Sequence, residues 1–337
     1  MSEPGPKDLG WDAEWADALA SCRADLGEPD LGVGRVVRAS RGRVWVDEDD
    51  DERAVQIPGR IHRDGMVPVV GDWIAIRRRS RRLVVAVVLR RRTVFRRRRA
   101  GSEDREQTIA ANIDAAFLMM GLDIDYNPRR LERYLALTYD SGAEPIVLLN
   151  KTDLCDDVAA RRAEVEALTR AEIVTLNARA MRDGQESRTR LEPFLPEGRT
   201  VALLGSSGVG KSTLVNALLG VDRMKTNAVR ERDGRGRHTT THRQLIRLQS
   251  GALLVDTPGM RELGMVGGLG SLEEAFPDVA ELAASCRFAD CQHAGEPDCA
   301  VTRALEGGRL DAVRWASFCK LKSELGGTIA MRRRRRG

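Results

Sequence analysis

A chain of 337 residues, 42% of them hydrophobic, is longer than one typical core, so two or three domains are expected. Its apolar runs, such as LVVAVVL at 83–89, fall far short of the roughly 20 residues a bilayer span needs. Acids fill MSEPGPKDLGWDAEWAD where a signal peptide carries a basic region and an apolar one, and both absences lead us to expect a cytoplasmic protein.

The predicted elements begin with a short amphipathic helix at WDAEWADALASC (11–22). From Val33 to about Phe95 the texture is β-rich: GRVVRA, GRVWVD, RAVQIPG, DWIAIRR and RLVVAVVL are Val- and Ile-rich runs separated by turn residues. Five short strands with basic loops fit a small barrel of the oligonucleotide-binding type (OB-fold), although SH3-like and sandwich arrangements share the pattern. Charge is uneven within a net +5. Arginines crowd IRRRSRRLVVAVVLRRRTVFRRRR (76–99) and the tail MRRRRRG, while DEDDDE (47–52) concentrates acid. Basic blocks of this kind suit a polyanionic partner, nucleic acid above all.

After Arg99 the runs AAFLMMGLD (115–123), PIVLLNKTD (145–153), EIVTLNA (172–178), TVALLGSSGVGKS (200–212) and ALLVDTPG (252–259) each end in small or polar residues. Helical stretches such as PRRLERYLALTYDSG and KSTLVNALLG lie between them. The alternation predicts a mainly parallel α/β sheet with ligand loops at the carboxyl ends of its strands. Beyond Pro277 the chain becomes helical and carries Cys and His.

The segment GSSGVGKS matches the phosphate-binding pattern G-x-x-x-x-G-K-S between a strand and a helix. Gly205, Gly208 and Gly210 let backbone N–H groups turn inward around phosphates; Ser206, Ser207 and Val209 complete the loop. Lys211 is expected to reach the β- and γ-phosphates, and the Ser212 hydroxyl to bind Mg²⁺, with Thr213 beside it. In VDTPG, Asp256 ends a strand where it can hold Mg²⁺ through water, and the Gly259 N–H can contact a γ-phosphate. Between them, GRGRHTTTHR (234–243) precedes an antiparallel-looking QLIRL and suits a mobile loop whose Thr239, Thr240 or Thr241 closes on the metal.

In NKTD, the Asp153 carboxylate can accept from guanine N1–H and the 2-amino group, donors that adenine does not present. The Lys151 stem can cover the base, Thr152 lies between them, and Asn150 can tie this loop to the phosphate loop. Asn177-Ala178 stands where GTPases place a segment whose backbone N–H meets guanine O6. The base reader thus precedes the phosphate loop, the reverse of the ordinary GTPase order.

Of the six cysteines, Cys286, Cys291 and Cys299 cluster around His293. Three thiolates and an imidazole suffice to close a tetrahedral structural zinc site with no open position for catalysis.

The order NKTD, LNA, GSSGVGKS, HTTT, DTPG, with LERYLALTYDSGAEPIVLLNKTDL before it and CRFADCQHAGEPDC after it, resembles the RsgA (YjeQ) family of circularly permuted GTPases. The resemblance covers nearly the whole chain. It implies a GTPase acting on the small ribosomal subunit during late maturation, with an OB-fold domain, a permuted P-loop GTPase domain and a zinc domain. The division expected is 1–30 as an N-terminal extension, 31–99 as the RNA-binding barrel, 100–275 as the GTPase and 276–337 as the zinc module with its basic tail. It also implies one structural zinc ion, magnesium bound with GTP, rRNA contact and a monomer. The family's base-binding positions fall on Asn150, Lys151 and Asp153, and its phosphate-binding positions on Gly205 through Thr213.

Two departures from the wider GTPase pattern stand out. Met260 and Arg261 follow Gly259 where Ras-like enzymes place a water-orienting glutamine, so slow intrinsic hydrolysis stimulated by a partner is expected. His238 is the nearest polar candidate for that role, which the resemblance assigns to a switch histidine. Gly208 stands where potassium-activated GTPases often carry Asn, which weakens any claim of potassium dependence. The rival from another class is an rRNA-binding assembly scaffold that uses GTP as a slow conformational switch, and a P-loop ATPase or kinase is disfavoured by NKTD.

Overall fold

The structure, a computed structural model, describes the chain apart from residues 1–8, 41, 49–50, 64, 81, 99–105, 183–187, 221–242, 257–268 and 335–337. The first helix, α1 (Ala13–Leu26), begins at Asp12, whose side chain accepts from the Trp15 N–H at 3.1 Å, and ends at left-handed Gly27. It lays Trp15 and Leu19 against Leu31, Trp73 and Leu89.

Strands β1 (Gly32–Ser40), β2 (Arg43–Glu48) and β3 (Asp51–Gln56) form an antiparallel meander. A short helix, α2 (Gly59–Arg63), follows, then the antiparallel pair β4 (Trp73–Arg79) and β5 (Arg82–Val88). Parallel pairing of β3 with β5 and antiparallel pairing of β4 with β1 closes the ring in the order β1-β2-β3-β5-β4-β1. This is the oligonucleotide-binding barrel, and the SH3-like and sandwich alternatives fall away. Its interior is filled by branched residues, among them Val36, Val44, Val55, Ile74 and Val85, with Ile61 of α2 packed among them. Space inside is tight: a Cβ on Gly34 would lie 2.9 Å from the Val46 Cβ, so only glycine fits there.

A hairpin of β6 (Val94–Arg98) and β7 (Glu106–Ala111) follows the barrel and is additional to the five strands expected there. Then comes the second unit: β8 (Ala115–Gly121), α3 (Pro128–Ser141), β9 (Glu144–Asn150), α4 (Val158–Glu166), β10 (Glu172–Thr175), β11 (Thr200–Gly205), α5 (Lys211–Leu219), β12 (Arg243–Arg247) and β13 (Leu253–Asp256). The order β10-β9-β8-β11-β13 is parallel throughout, and β12 adds antiparallel to β13. Strands β8 and β9 read as continuous apolar runs because helices cover both their faces. One face packs against α3 and the C-terminal helices, the other against α5.

The sheet does not stop at β12. Residues 32–35 of β1 pair with β4, while Arg38 and Ala39 pair with Gln244 and Arg243 of β12. One long strand thereby serves the barrel and the nucleotide-type sheet, making one sheet of eleven strands. Arg35 seals this junction from inside. Fully buried, it donates to the Asn112 carbonyl at 2.9 Å, to the Thr200 hydroxyl at 2.7 Å and to the carbonyls of Leu9 and Gly71. Burial lowers its pKa to about 10, partly offset by Asp114 and Asp72, which leaves it charged at neutral pH.

The C-terminal helices are α6 (Leu269–Ala275), α7 (Pro277–Ala284), α8 (Ala300–Glu306) and α9 (Ala312–Arg334). Phe276 packs edge-on to Phe318, and Trp315 stacks on Phe318 at 5.4 Å. Arg314 of α9 fastens this module to the sheet unit. It reaches Glu132 of α3 at 2.8 Å, the Asp278 carboxylate of α7 and the Leu168 carbonyl, and lies over the Phe276 ring.

Candidate nucleotide site and metal centre

The phosphate-type loop leaves β11 at Gly205 and enters α5 at Lys211. Gly208 and Gly210 have φ of 81° and 107°, values that side chains rarely tolerate. Gly210 has a second reason to be glycine: a Cβ there would sit 2.4 Å from the Asn150 amide nitrogen. Val209 is fully buried and holds the loop against the sheet core. The Lys211 ammonium donates to the carbonyls of Gly205 and Ser206 and thus lies along the inner rim of the loop. Ser212 and Thr213 occupy the first turn of α5, where N–H groups lack intrahelical partners and the helix dipole favours an anion.

The NKTD segment comes to this loop in space despite preceding it in sequence. Asn150, buried, donates from Nδ2 to the Val209 carbonyl at 2.7 Å, and its Oδ1 accepts from the Ala178 N–H at 2.9 Å. One amide therefore stitches its own loop to two others, 59 and 28 residues from it along the chain. Lys151 takes the left-handed conformation at φ 65°, uncommon for a residue with a side chain. Thr152 and Asp153 start a short 3₁₀ turn, and Asp153 is exposed. Asn177 turns its Oδ1 onto the N–H groups of Arg179 and Ala180, forming an Asx-type turn that fixes the neighbouring loop.

One side of the site has no counterpart in the sequence reading. The loop from Gly121 to Asn127, between β8 and α3, carries Asp123 and Asp125. Asp123 pairs with the Lys151 ammonium at 2.6 Å. Burial alone would raise the Asp123 pKa, but Lys151 and the Asp125 N–H hold it below the ordinary carboxylate value. Asp125 accepts from the Ser206 hydroxyl and pairs with Arg130 at 2.8 Å. The signal available in sequence was an aspartate two residues from another, just after an apolar strand end.

Asp256 ends β13 opposite Gln244, which is itself opposite Arg38 of the barrel. A single cross-strand row thus runs from the barrel to the end of the strand that leads into DTPG. His238, Thr239, Thr240, Thr241 and Gly259 lie outside the described residues.

The four C-terminal candidates converge. The ligand atoms of Cys286, Cys291, His293 and Cys299 all lie within 4.8 Å of one another. His293 Nδ1 is 3.5 Å from the sulfurs of Cys286 and Cys299, and those sulfurs are 3.9 Å apart. A tetrahedral zinc with metal–sulfur bonds of about 2.3 Å has sulfur–sulfur edges of roughly 3.8 Å, so the donor set fits that ion. Left-handed backbone at His293 turns the chain back on itself, and Trp315 packs edge-on to the imidazole at 5.8 Å. The Thr302 N–H donates to the Cys299 sulfur at 3.4 Å, a second contact of the kind that orients thiolate ligands.

The arginine runs divide. Arg43, Arg53, Arg78 and Arg82 line an open cleft of about 390 Å³ on the barrel, and all four are exposed. Arg77 instead pairs with Glu28 through two hydrogen bonds, which removes it from that face. Arg38 pairs with Glu52 and stacks over Trp45 at 4.0 Å.

A family model described as RsgA GTPase matches residues 88–266, more than half of the chain. The protein from Syntrophotalea carbinolica named small ribosomal subunit biogenesis GTPase RsgA is 38% identical over 98% of this chain and 94% of its own. The chain belongs to the RsgA GTPase family. Two further proteins of that name compare with this RsgA-family chain over shorter stretches. The Opitutus terrae protein is 51% identical over 77% of this chain and 72% of its own. That of Xanthomonas campestris is 54% identical over 67% of this chain and 62% of its own. Among solved structures, YjeQ from Thermotoga maritima is 25% identical and superposes with a TM-score of 0.65 over 88% of this chain and 99% of that one. YloQ, described as a circularly permuted GTPase, gives 0.62 at 23% identity, a likeness of fold.

Proposed function

We propose that this RsgA-family chain is a GTPase that assists biogenesis of the small ribosomal subunit, binding GTP between the NKTD segment and the GSSGVGKS loop. The observation that carries the reading is the Asn150 amide, which joins the phosphate loop to the Ala178 segment and so sets a base reader beside a phosphate cradle. Asp153 reads the guanine edge, Lys151 and Thr152 flank the base, and Asn177-Ala178 closes its far side. Gly205 through Thr213 hold the phosphates. Magnesium, which such a site takes with GTP, supplies charge neutralisation at the β- and γ-phosphates; Ser212 and Asp256 would hold it.

Lys211 donates to the carbonyls of Gly205 and Ser206 within the loop itself, which places its ammonium beside the phosphates such a loop would hold. His238, Thr240 and Gly259 complete the site as water-positioning group, metal ligand and γ-phosphate contact. The Cys286, Cys291, His293, Cys299 set holds one zinc ion that staples the C-terminal module. We assign 1–30 to an extension, 31–99 to the rRNA-binding domain, whose barrel strands end at Val88, 100–275 to the GTPase and 276–337 to the zinc module. The chain acts as a monomer in the cytoplasm, and the barrel cleft of Arg43, Arg53, Arg78 and Arg82 supplies phosphate contacts. No described helix is long and apolar enough to cross a membrane.

The test is GTP hydrolysis by the full chain with and without purified small subunits. Slow turnover that rises strongly with subunits supports the reading. Equal rates in both conditions would remove the ribosomal part of it.

A further inference from the structure

We propose that the loop from Gly121 to Asn127 is a third nucleotide-positioning element, in which Asp123 sets Lys151 as the platform for the guanine base. This rests on the reading of the NKTD–phosphate-loop site given above. Lysine carries about 2 kcal/mol of rotamer freedom, and a base platform requires its stem to be held flat. Here Lys151 is left-handed at φ 65°, a conformation that persists only where its surroundings impose it. The side chain leaving that backbone is held at its far end by Asp123, 2.6 Å from the ammonium.

The fit is close on the other side too. A Cβ on Gly121 would fall 2.5 Å from an Asp123 carboxylate oxygen and 3.6 Å from the Lys151 Cδ, so the absence of a side chain at 121 makes room for the pair. Asp123 is in turn fixed by its Oδ1, which accepts the Asp125 N–H at 3.2 Å.

The same loop is fastened to the phosphate side. Asp125 accepts from the Ser206 hydroxyl and pairs with Arg130, while Asn127 caps α3 by accepting the Arg130 N–H at 3.0 Å. Tyr126 donates to Glu164 of α4 at 2.7 Å and lies under Arg161. Three consecutive polar anchors therefore tie the loop to α3, to α4 and to the phosphate loop, with Ile124 alone fully exposed between the aspartates. A loop so held transmits its geometry to Lys151 before any ligand arrives, and pre-organisation of this kind lowers the ordering cost of binding.

Binding of a fluorescent GDP analogue to the full chain tests the proposal, with Asp123→Ala, Asp123→Asn, Lys151→Ala and the Asp123→Ala/Lys151→Ala double variant. Freezing one long side chain is worth about tenfold in affinity, so Asp123→Ala is expected to bind the analogue roughly ten times more weakly, and in a parallel GTP hydrolysis assay to raise KM and leave kcat unchanged. Asp123→Asn keeps the turn to Asp125 and a hydrogen-bond acceptor for Lys151, and is expected to lie between the two. The double variant is expected to be no weaker than Lys151→Ala alone, because the two residues act as one unit. Unchanged affinity in Asp123→Asn and Asp123→Ala, or losses that add in full, would overturn the proposal and leave the site standing. An unmutated chain that binds no guanine nucleotide would overturn both.

Discussion

Replacing Arg314 by methionine should partly undock the C-terminal module. The Arg314 and Glu132 side chains are 4% and 0% exposed and 2.8 Å apart, and one Glu132 oxygen has no partner even with the arginine present. Burial alone would lower the Arg314 pKa, yet Asp278 and Glu132 hold it above the ordinary value, so the guanidinium is firmly charged. Removing one member of a buried pair typically costs 3–5 kcal/mol, because the other charge stays desolvated. Arg129 retains a contact with the same Glu132 oxygen, and Asp278 is exposed enough to rehydrate, so the lower end, about 3 kcal/mol, applies. At roughly 2–4 °C per kcal/mol, the calorimetric transition containing these helices should fall by about 6–12 °C. Adding Glu132→Gln should recover much of the loss, since a buried amide needs no counterion. A single variant that melts within about 1 °C of the unmutated chain, or a double variant no better than the single, would refute this account of the joint.

Metal analysis of the purified chain should find one zinc, lost in Cys291→Ala together with the cooperative melting of the C-terminal helices; an unmutated chain without zinc would end the assignment. Binding to small subunits should weaken steeply with salt, and Arg78→Glu or Arg82→Glu should each reduce the slope of log K against log salt by about one. Arg77→Ala should leave that slope nearly unchanged, because its guanidinium is already held by Glu28.

Much of this architecture was legible in the chain because the chemistry left periodic marks. Val- and Ile-rich runs spaced by turns gave the barrel strands, and apolar runs ending in Gly, Asn or Asp gave the strand ends where loops gather. The NKTD and GSSGVGKS segments stand out because a site for guanine and phosphate, as proposed, would demand particular residues at fixed spacing. Sequence was silent on Arg35 and Arg314, which read as two more basic residues among many. Their burial follows from where distant strands and helices meet, and no local pattern records that. Asp123 and Asp125 were missed for a related reason: each partner lies far along the chain, at Lys151 and Ser206. Sharing of β1 between barrel and sheet was also hidden, since register between remote strands depends on the whole assembly.

The central claim is that permutation leaves a guanine reader beside the phosphate loop, and Asp153→Asn tests it most directly. GDP, ADP and xanthosine diphosphate would be titrated into the unmutated chain and the variant. The account predicts strong GDP-over-ADP preference in the unmutated chain. In the variant that preference should collapse and the xanthine nucleotide gain, since an amide can donate where the carboxylate accepted. Guanine selectivity that survives Asp153→Asn intact would contradict it.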